Sequence, residues 1–177
     1  MPRIPYKPHD DAGPEAVVAP IRARRGGTLL NLDRQLLHSP PLATGWNHLM
    51  GAVRTELSLP ADLREIAICV VATVNRAPYE FIHHAPVLRA AGASQAQVDA
   101  LHDVDAALVA SGLFDEVEQA TIRLAVEMTR SVQVADATFD AARRALGDDR
   151  LLVELVGTIA SYNMVSRVIV ALGIEPE

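Results

Sequence analysis

The sequence predicts an all-α fold, on three observations. Apolar residues recur at helical spacing over most of the chain after about Thr28, and prolines and capping residues divide that part into segments of helical length. No segment alternates apolar and polar residues as a strand would. Half of the residues are hydrophobic but only 4% are aromatic. The core must therefore consist of small and branched aliphatic side chains, which suits closely packed helices.

The first residues differ in composition from the rest of the chain. Residues 1–27 contain five of the eleven prolines and end in the basic sequence RARRGG. Proline fixes φ and removes a backbone donor, so we predict an extended N-terminal arm with a short helix near Glu15–Ala19. Residues 28–177 are predicted to form a single all-α domain.

Prolines and polar caps mark the first two long helices of that domain. Ser39 precedes Pro40, the pair expected at the N-cap and first position of a helix that runs to about Glu56. Pro60 begins the next helix and Asn75 ends it. The helical period predicts the buried side of this second helix, namely Leu63, Ile66, Ala67, Val70, Val71 and Val74.

The stretch RAPYEFIHH, residues 76–84, begins another predicted helix, with Pro78 in its first turn and Gly92 at its end. Ser94 and Gln97 have the spacing of a capping box and start a further helix. The remaining helices are predicted at about 114–130, at about 135–146 and from Asp148 onward. The last has a buried stripe formed by Leu152, Leu155, Ile159, Tyr162, Val165, Ile169 and Leu172.

Net charge and cysteine content exclude several functions. The formal charge is −6 and the pI is near 5.5, so neither nucleic acid nor an anionic membrane is the expected partner. Cys69 is the only cysteine, which excludes an intrachain disulfide, a dithiol redox pair and a zinc knuckle. Its apolar neighbours predict a buried, inert thiol. Because no signal-like segment follows Met1 and no apolar run approaches transmembrane length, we expect a soluble cytoplasmic protein.

Three polar residues interrupt the helix that begins at Pro78. Glu80 lies one turn from both His83 and His84, and the two histidines point about 100° apart. A carboxylate beside an imidazole sets its tautomer and makes it a proton donor near neutrality. The same spacing equally fits an ordinary ion pair on a helix surface. It also fits a Glu-x-x-His metal half-site, but the second Glu-x-x-His of a di-iron centre is absent, so we predict no metal and no cofactor.

Glu65 adds a second carboxylate, on the preceding helix. If the two helices pack antiparallel across the turn at Asn75, Glu65 and His84 lie at comparable distances from that turn. They can then face each other in a partly dry cleft. Alternatively, Glu65 is exposed and pairs with Arg64 or Arg89.

Two further residues are candidates for substrate binding. Trp46, in ATGWNHLM, could line a pocket, although a place in the core or an interface explains a single tryptophan as well. Arg167, in SYNMVSRV, could hold a substrate carboxylate or close a subunit contact. The sequence has neither a glycine-rich phosphate loop nor a Gly-x-Ser-x-Gly nucleophile elbow.

Two segments carry a family resemblance, LREIAICVVATVNRAPYEFIHHAPVLRAAGAS and YNMVSRVIVALGIEP. They resemble the carboxymuconolactone decarboxylase / alkylhydroperoxidase D-like superfamily, and the resemblance covers most of the chain from about Leu29. It implies an all-α fold and a homo-oligomer, a trimer or hexamer, with sites close to subunit contacts.

The resemblance also separates two chemistries. The alkylhydroperoxidase-like branch has a glutamate, a Cys-x-x-Cys pair and a histidine four residues later, and the matching positions here are Glu65, Ala77, Glu80 and His84. Both thiols are missing, so peroxide reduction through a disulfide is excluded at this site. The decarboxylase branch, like this chain, has a glutamate four residues before the histidine. The long arm and Glu65 depart from that branch.

We therefore predict a cofactor-independent acid–base enzyme that acts on a small carboxylated lactone or enolisable acid, with decarboxylation as the expected reaction. His84 is the predicted proton donor, Glu80 sets its tautomer, and Glu65 is the second acid–base group. The residues predicted to bind the substrate are Tyr79, His83, Trp46, Arg76 and Arg167. The alternatives are a peroxidase-related protein that has lost its redox thiols and a non-catalytic ligand-binding oligomer.

Overall fold

The computed structural model describes residues 1–110 and 112–177, and all regular secondary structure in them is helical. The all-α prediction is confirmed for this part of the chain. The helices, in order, are α1 (Glu15–Arg24), α2 (Asn31–Leu36), α3 (Pro40–Thr55), α4 (Ala61–Val74), α5 (Pro78–Ala90), α6 (Gln95–Ala100), α7 (Val104–Val109), α8 (Glu116–Arg130), α9 (Asp136–Leu146) and α10 (Asp149–Leu172).

The chain divides into two compact units. The first unit comprises Met1–Leu57 and Val168–Glu177, and the second unit comprises Ser58–Arg167. The first unit therefore contains α1 to α3 and the end of α10, whereas the second contains α4 to α9 and most of α10. A separate arm over residues 1–27 and a single domain over residues 28–177 stay predictions.

The N-terminal segment is hydrogen-bonded within the first unit. The Arg3 amide donates to Leu172 O at 2.9 Å, and Gln35 Nε2 donates to Ile4 O at 2.7 Å. The helix expected near Glu15–Ala19 is longer than predicted and continues to the end of α1. Residues 1–27 thus contain one regular helix and are tied to later residues by backbone contacts.

Helix α4 forms the centre of the second unit. It packs against α5 and α8, and α8 in turn packs against α9. A helix surrounded by other helices is apolar on all sides rather than along one stripe. The buried residues of α4 are Leu63, Glu65, Ile66, Ala67, Ile68, Cys69, Val70, Val71 and Ala72. A carboxylate and a thiol are therefore enclosed in an otherwise aliphatic helix.

Capping residues mark the ends of several helices. Ser94 Oγ accepts from the Gln97 amide at 3.2 Å, and Gln97 Oε1 accepts from the Ser94 amide at 2.8 Å, which confirms the predicted capping box of α6. Gly147 ends α9 with a φ of 68°, a left-handed conformation that favours glycine. Ser39 is the N-cap of α3 as predicted, but its side chain makes no capping hydrogen bond.

Within the second unit, α10 buries the predicted stripe residues Leu152, Leu155, Ile159, Tyr162 and Val165. Leu172, the last residue of the predicted stripe, belongs to the first unit and is only half-buried. By length and composition alone α10 could also cross a membrane, a property that core helices of soluble proteins share. A cytoplasmic location stays a prediction.

Candidate functional site

The turn between α4 and α5 determines which side chains meet. Asn75 caps α4, and Arg76 follows with a φ of 54°. The Arg76 amide donates to Thr73 O at 3.1 Å, and the Ala77 amide donates to Ala72 O at 2.8 Å. This pair of bonds is a Schellman motif with arginine at the left-handed position that glycine usually occupies. The motif ends α4 sharply, and α5 starts at the next residue.

Across this turn Glu65 and His84 form a direct contact. Glu65 Oε2 lies 2.6 Å from His84 Nδ1, and the two residues are 0% and 4% exposed. Arg64 Nε donates to the other carboxylate oxygen, Oε1, at 3.1 Å. The structure brings Glu65 and His84 together in a dry interior, as the antiparallel arrangement predicted. The alternative of an exposed Glu65 is wrong, although Arg64 is indeed one of its partners.

The hydrogen bonds at Glu65 define the protonation pattern of the pair. A guanidinium that donates to one oxygen favours the ionised carboxylate. The other oxygen can then accept a proton from His84 Nδ1, which is one of the two tautomers that the 2.6 Å contact allows. The ring of Tyr162, on α10, meets the His84 ring edge-on with centroids 5.0 Å apart. The imidazole is therefore oriented from two sides.

Glu80 differs from its predicted role. It is 2% exposed, and neither of its carboxyl oxygens has a hydrogen-bond partner among residues 1–110 and 112–177. The assignment of Glu80 as the residue that sets the tautomer of His84 was therefore wrong, because Glu65 holds Nδ1. Spacing within α5 allowed the Glu80 contact, but a carboxylate from α4 makes it. Glu65, Glu80 and His84 are called the acid–base cluster below.

Burial keeps Glu80 protonated. Desolvation raises the pKa of Glu80 from its ordinary value of 4.5 to about 9. Such a shift corresponds to roughly 6 kcal/mol, whereas the dipole at the first turn of a helix favours a carboxylate by only about 0.3–1 kcal/mol. Desolvation wins, so Glu80 is a neutral carboxylic acid near pH 7. It carries one acidic proton and can donate it in a hydrogen bond.

Cys69 lies one turn after Glu65 on α4 and is fully buried. Burial raises the pKa of the Cys69 thiol, and the carboxyl groups of Glu65 and Glu80 raise it further. The thiolate is the reactive form of cysteine, so this environment suppresses nucleophilic and redox chemistry.

Cys69 should accordingly resist modification in the folded protein. With Ellman's reagent at pH 8 we expect no labelling under native conditions and one thiol per chain in 6 M guanidinium chloride. Cys69→Ala should leave any catalytic turnover in place. Rapid stoichiometric labelling of the native chain would contradict this description of the thiol.

The structure places the residues predicted to bind substrate in different surroundings. Tyr79 is buried and stacks on His83, with ring centroids 4.3 Å apart, and Tyr79 O lies 2.7 Å from His83 Nδ1. Arg167 donates to the backbone and side-chain oxygens of Asn163 in its own helix. Arg76 is exposed on the second unit, and Trp46 is buried on α3 in the first unit. A substrate-binding role for each of these residues stays a prediction.

Sequence reasoning missed a polar network that anchors the turn. Asn75 Nδ2 donates to Asn163 Oδ1 at 3.0 Å and to Ser166 Oγ at 2.7 Å. Asn163 Nδ2 in turn donates to Thr129 Oγ1 at 3.0 Å. The signal was present, since Asn163 and Ser166 interrupt an otherwise apolar helix. Within residues 1–110 and 112–177, no group of three His, Cys, Asp or Glu side chains is arranged to hold a metal ion.

The fold and the acid–base cluster define an all-α protein with a buried carboxylate–imidazole pair. One known family matches part of the sequence. Residues 40–121 match the model of the carboxymuconolactone decarboxylase family. This match bears out the resemblance to the carboxymuconolactone decarboxylase / alkylhydroperoxidase D-like superfamily over these residues. No curated protein matches the sequence.

Similar solved structures cover nearly the whole chain. An alkylhydroperoxidase AhpD core, an uncharacterised peroxidase-related protein from Ralstonia eutropha JMP134, is 19% identical with a TM-score of 0.84, covering 100% of this chain and 93% of that one. A peroxidase-related protein from Silicibacter sp. TM1040 is 17% identical with a TM-score of 0.81, covering 100% and 94%. The debrominase Bmp8 in complex with 2,3,4-tribromopyrrole is 18% identical with a TM-score of 0.79, covering 97% and 90%. At these identities the likeness shows the fold alone.

Proposed function

We propose that this protein is a cofactor-independent acid–base enzyme that decarboxylates a small carboxylated lactone or a related enolisable acid. The observation that carries the proposal is the 2.6 Å contact between Glu65 Oε2 and His84 Nδ1, buried beside a carboxylic acid that burial keeps protonated. Titratable groups whose environments drive their protonation states apart are typical of acid–base sites.

The chemistry requires one proton donor and one group that stabilises negative charge. Loss of carbon dioxide breaks the bond between the carboxylate and the ring, and the electron pair moves through a double bond onto the lactone carbonyl. The resulting dienolate then takes a proton on carbon. His84 supplies that proton from Nε2, and Glu65 stabilises the imidazolium before the transfer. The neutral Glu80 donates a hydrogen bond to the developing enolate oxygen.

The two alternatives predict different behaviour. A peroxidase-related protein without Cys-x-x-Cys would have to use Cys69, whose burial and raised thiol pKa disfavour that role. A non-catalytic ligand-binding oligomer would bind small acids without turning them over. We propose a homo-oligomer, a trimer or hexamer, on the resemblance alone, and light scattering measures its mass.

Replacing His84 by glutamine tests the acid–base proposal. Glutamine keeps much of the volume but cannot transfer a proton, so turnover of carboxymuconolactone, or of the active lactone in a small panel, should fall by about a hundredfold or more. Turnover is followed by ultraviolet absorbance, and circular dichroism checks the fold. His9→Gln, an exposed histidine in the first unit, is the matched control and should keep full activity.

Two results would contradict the mechanism. If folded His84→Gln turned over the lactone at the wild-type rate, His84 would not be the proton donor. If the wild type bound these acids but released no carbon dioxide, the ligand-binding alternative would replace the enzyme.

A further inference from the structure

A groove on the second unit lies outside the acid–base cluster. It has a volume of about 430 Å³ and is formed where α4 ends and α5 begins, together with the segment after α6. This volume falls in the range of about 300–1,000 Å³ that small-molecule sites occupy. Its lining residues are Ala72, Thr73, Arg76, Ala77, Pro78, Phe81, Ile82 and His102. None of the acid–base cluster is among them.

The walls of the groove are apolar and aromatic. The rings of Phe81 and His102 contact each other in a tilted arrangement, with centroids 4.1 Å apart and an interplanar angle of 31°. Ile82 is 55% exposed and lines the same groove. A flat, apolar ring is the shape that covers such a wall, because it removes the exposed side chains of Ile82 and His102 from water together.

The side chain of Arg76 carries a positive charge at the edge of this apolar groove. Arg76 is exposed, and in the part of the chain that the structure describes its guanidinium has neither an ion pair nor a hydrogen bond to protein. Its backbone takes the strained left-handed conformation, with a φ of 54°, where glycine would be more stable. The planar fork of arginine matches a carboxylate bidentately. A strained position that carries a cation without a protein partner suggests a ligand anion.

We propose that this groove binds a flat aromatic ring bearing a carboxylate, with the ring against Phe81, Ile82 and His102 and the carboxylate on Arg76. The groove shares no residue with the acid–base cluster, although Arg76 is also one of the residues predicted from the sequence to bind substrate. In this proposal the exposed side chain of His102 is a binding residue.

The probe for this site is 2-naphthoate, with 2-naphthamide as its uncharged counterpart, measured by isothermal titration calorimetry on the full chain. We expect the wild type to bind 2-naphthoate at least about tenfold tighter than 2-naphthamide, since a hydrogen bond to a charged group contributes at this scale. Arg76→Gly should abolish that preference while raising the unfolding temperature, because glycine relieves the left-handed strain. Arg76→Lys should keep part of the preference for 2-naphthoate over 2-naphthamide.

Matched variants separate ring recognition from anion recognition. Ile82→Ser and His102→Ala should lower the affinity for both probes by a similar factor. Arg123→Ala, at an exposed arginine on α8, should leave both affinities unchanged. His84→Gln should still bind 2-naphthoate, so failure of the acid–base proposal would not affect this one. Equal affinity for both probes, unchanged binding by Arg76→Gly, or a groove variant that changes only the oligomeric mass would overturn the proposal.

Discussion

Glu80→Gln should be more stable than the wild type, by a margin that grows as the pH rises. In the unfolded chain Glu80 ionises near its ordinary pKa of 4.5, whereas in the folded chain burial raises its pKa to about 9. Between these values the folded state holds one more proton than the unfolded state, so the free energy of unfolding falls by roughly 1.4 kcal/mol per pH unit. Glutamine does not titrate and escapes this loss.

Urea unfolding of both proteins at pH 6, 7, 8 and 9 measures the effect. The difference in unfolding free energy should widen by about 3 kcal/mol between pH 6 and pH 8, and then level off above about pH 9. Glu116→Gln, an exposed glutamate in the first turn of α8, is the matched control and should follow the wild type. Parallel stability curves for Glu80→Gln and the wild type would mean that the folded chain holds Glu80 ionised.

Glu65→Ala should destabilise the fold by about 3 kcal/mol and also abolish turnover. Removing one partner of a buried charged contact leaves the others desolvated and unpaired, which costs about 3–5 kcal/mol in other proteins. The partners left behind include His84, 4% exposed, and Arg64, which is only partly buried and can turn toward water. The expected loss is therefore at the lower end of that range.

A conservative variant separates stability from catalysis at Glu65. Glu65→Gln keeps an oxygen that can accept the Nδ1 proton of His84, so its loss of stability should be smaller than that of Glu65→Ala. Without the negative charge the imidazolium is no longer stabilised, so turnover should fall nearly as far. Urea unfolding and lactone turnover measure the two effects, with Glu116→Ala as control. A Glu65→Ala variant as stable and active as the wild type would remove Glu65 from the site.

The helices were predictable where caps and periodicity coincide. Pro40, Pro60 and Gly147 mark boundaries that the structure keeps within a residue, because their backbone restrictions are local. Helices α2 and α7 were not predicted, because six residues span fewer than two turns and show no clear helical period. The sequence did not predict the extension of α1 beyond Ala19, because its proline-rich composition indicated an extended arm.

The contact between Glu65 and His84 was predictable from the helix lengths on either side of the turn, whereas the surroundings of Glu80 were not. Glu65, Glu80 and His84 were identified from spacing and resemblance, and the turn brings Glu65 against His84. Spacing within one helix cannot reveal that a neighbouring helix supplies the closer carboxylate. Nor can it reveal that Glu80 is enclosed without a partner, since desolvation depends on every helix packed around it. The groove at Arg76 could not be predicted from the sequence for the same reason, since the end of α4, the start of α5 and the segment after α6 form it together.

The discontinuous first unit has a consequence for how the chain is made. Residues 168–177 belong to that unit but are synthesised after all of residues 58–167. Folding during synthesis usually proceeds from the N-terminal domain onward. In this chain residues 1–57 are made first, but residues 168–177 of the same unit are made only after the residues of the second unit, including Glu65, Glu80 and His84. The first unit can therefore be completed only after every residue of the second unit has been synthesised.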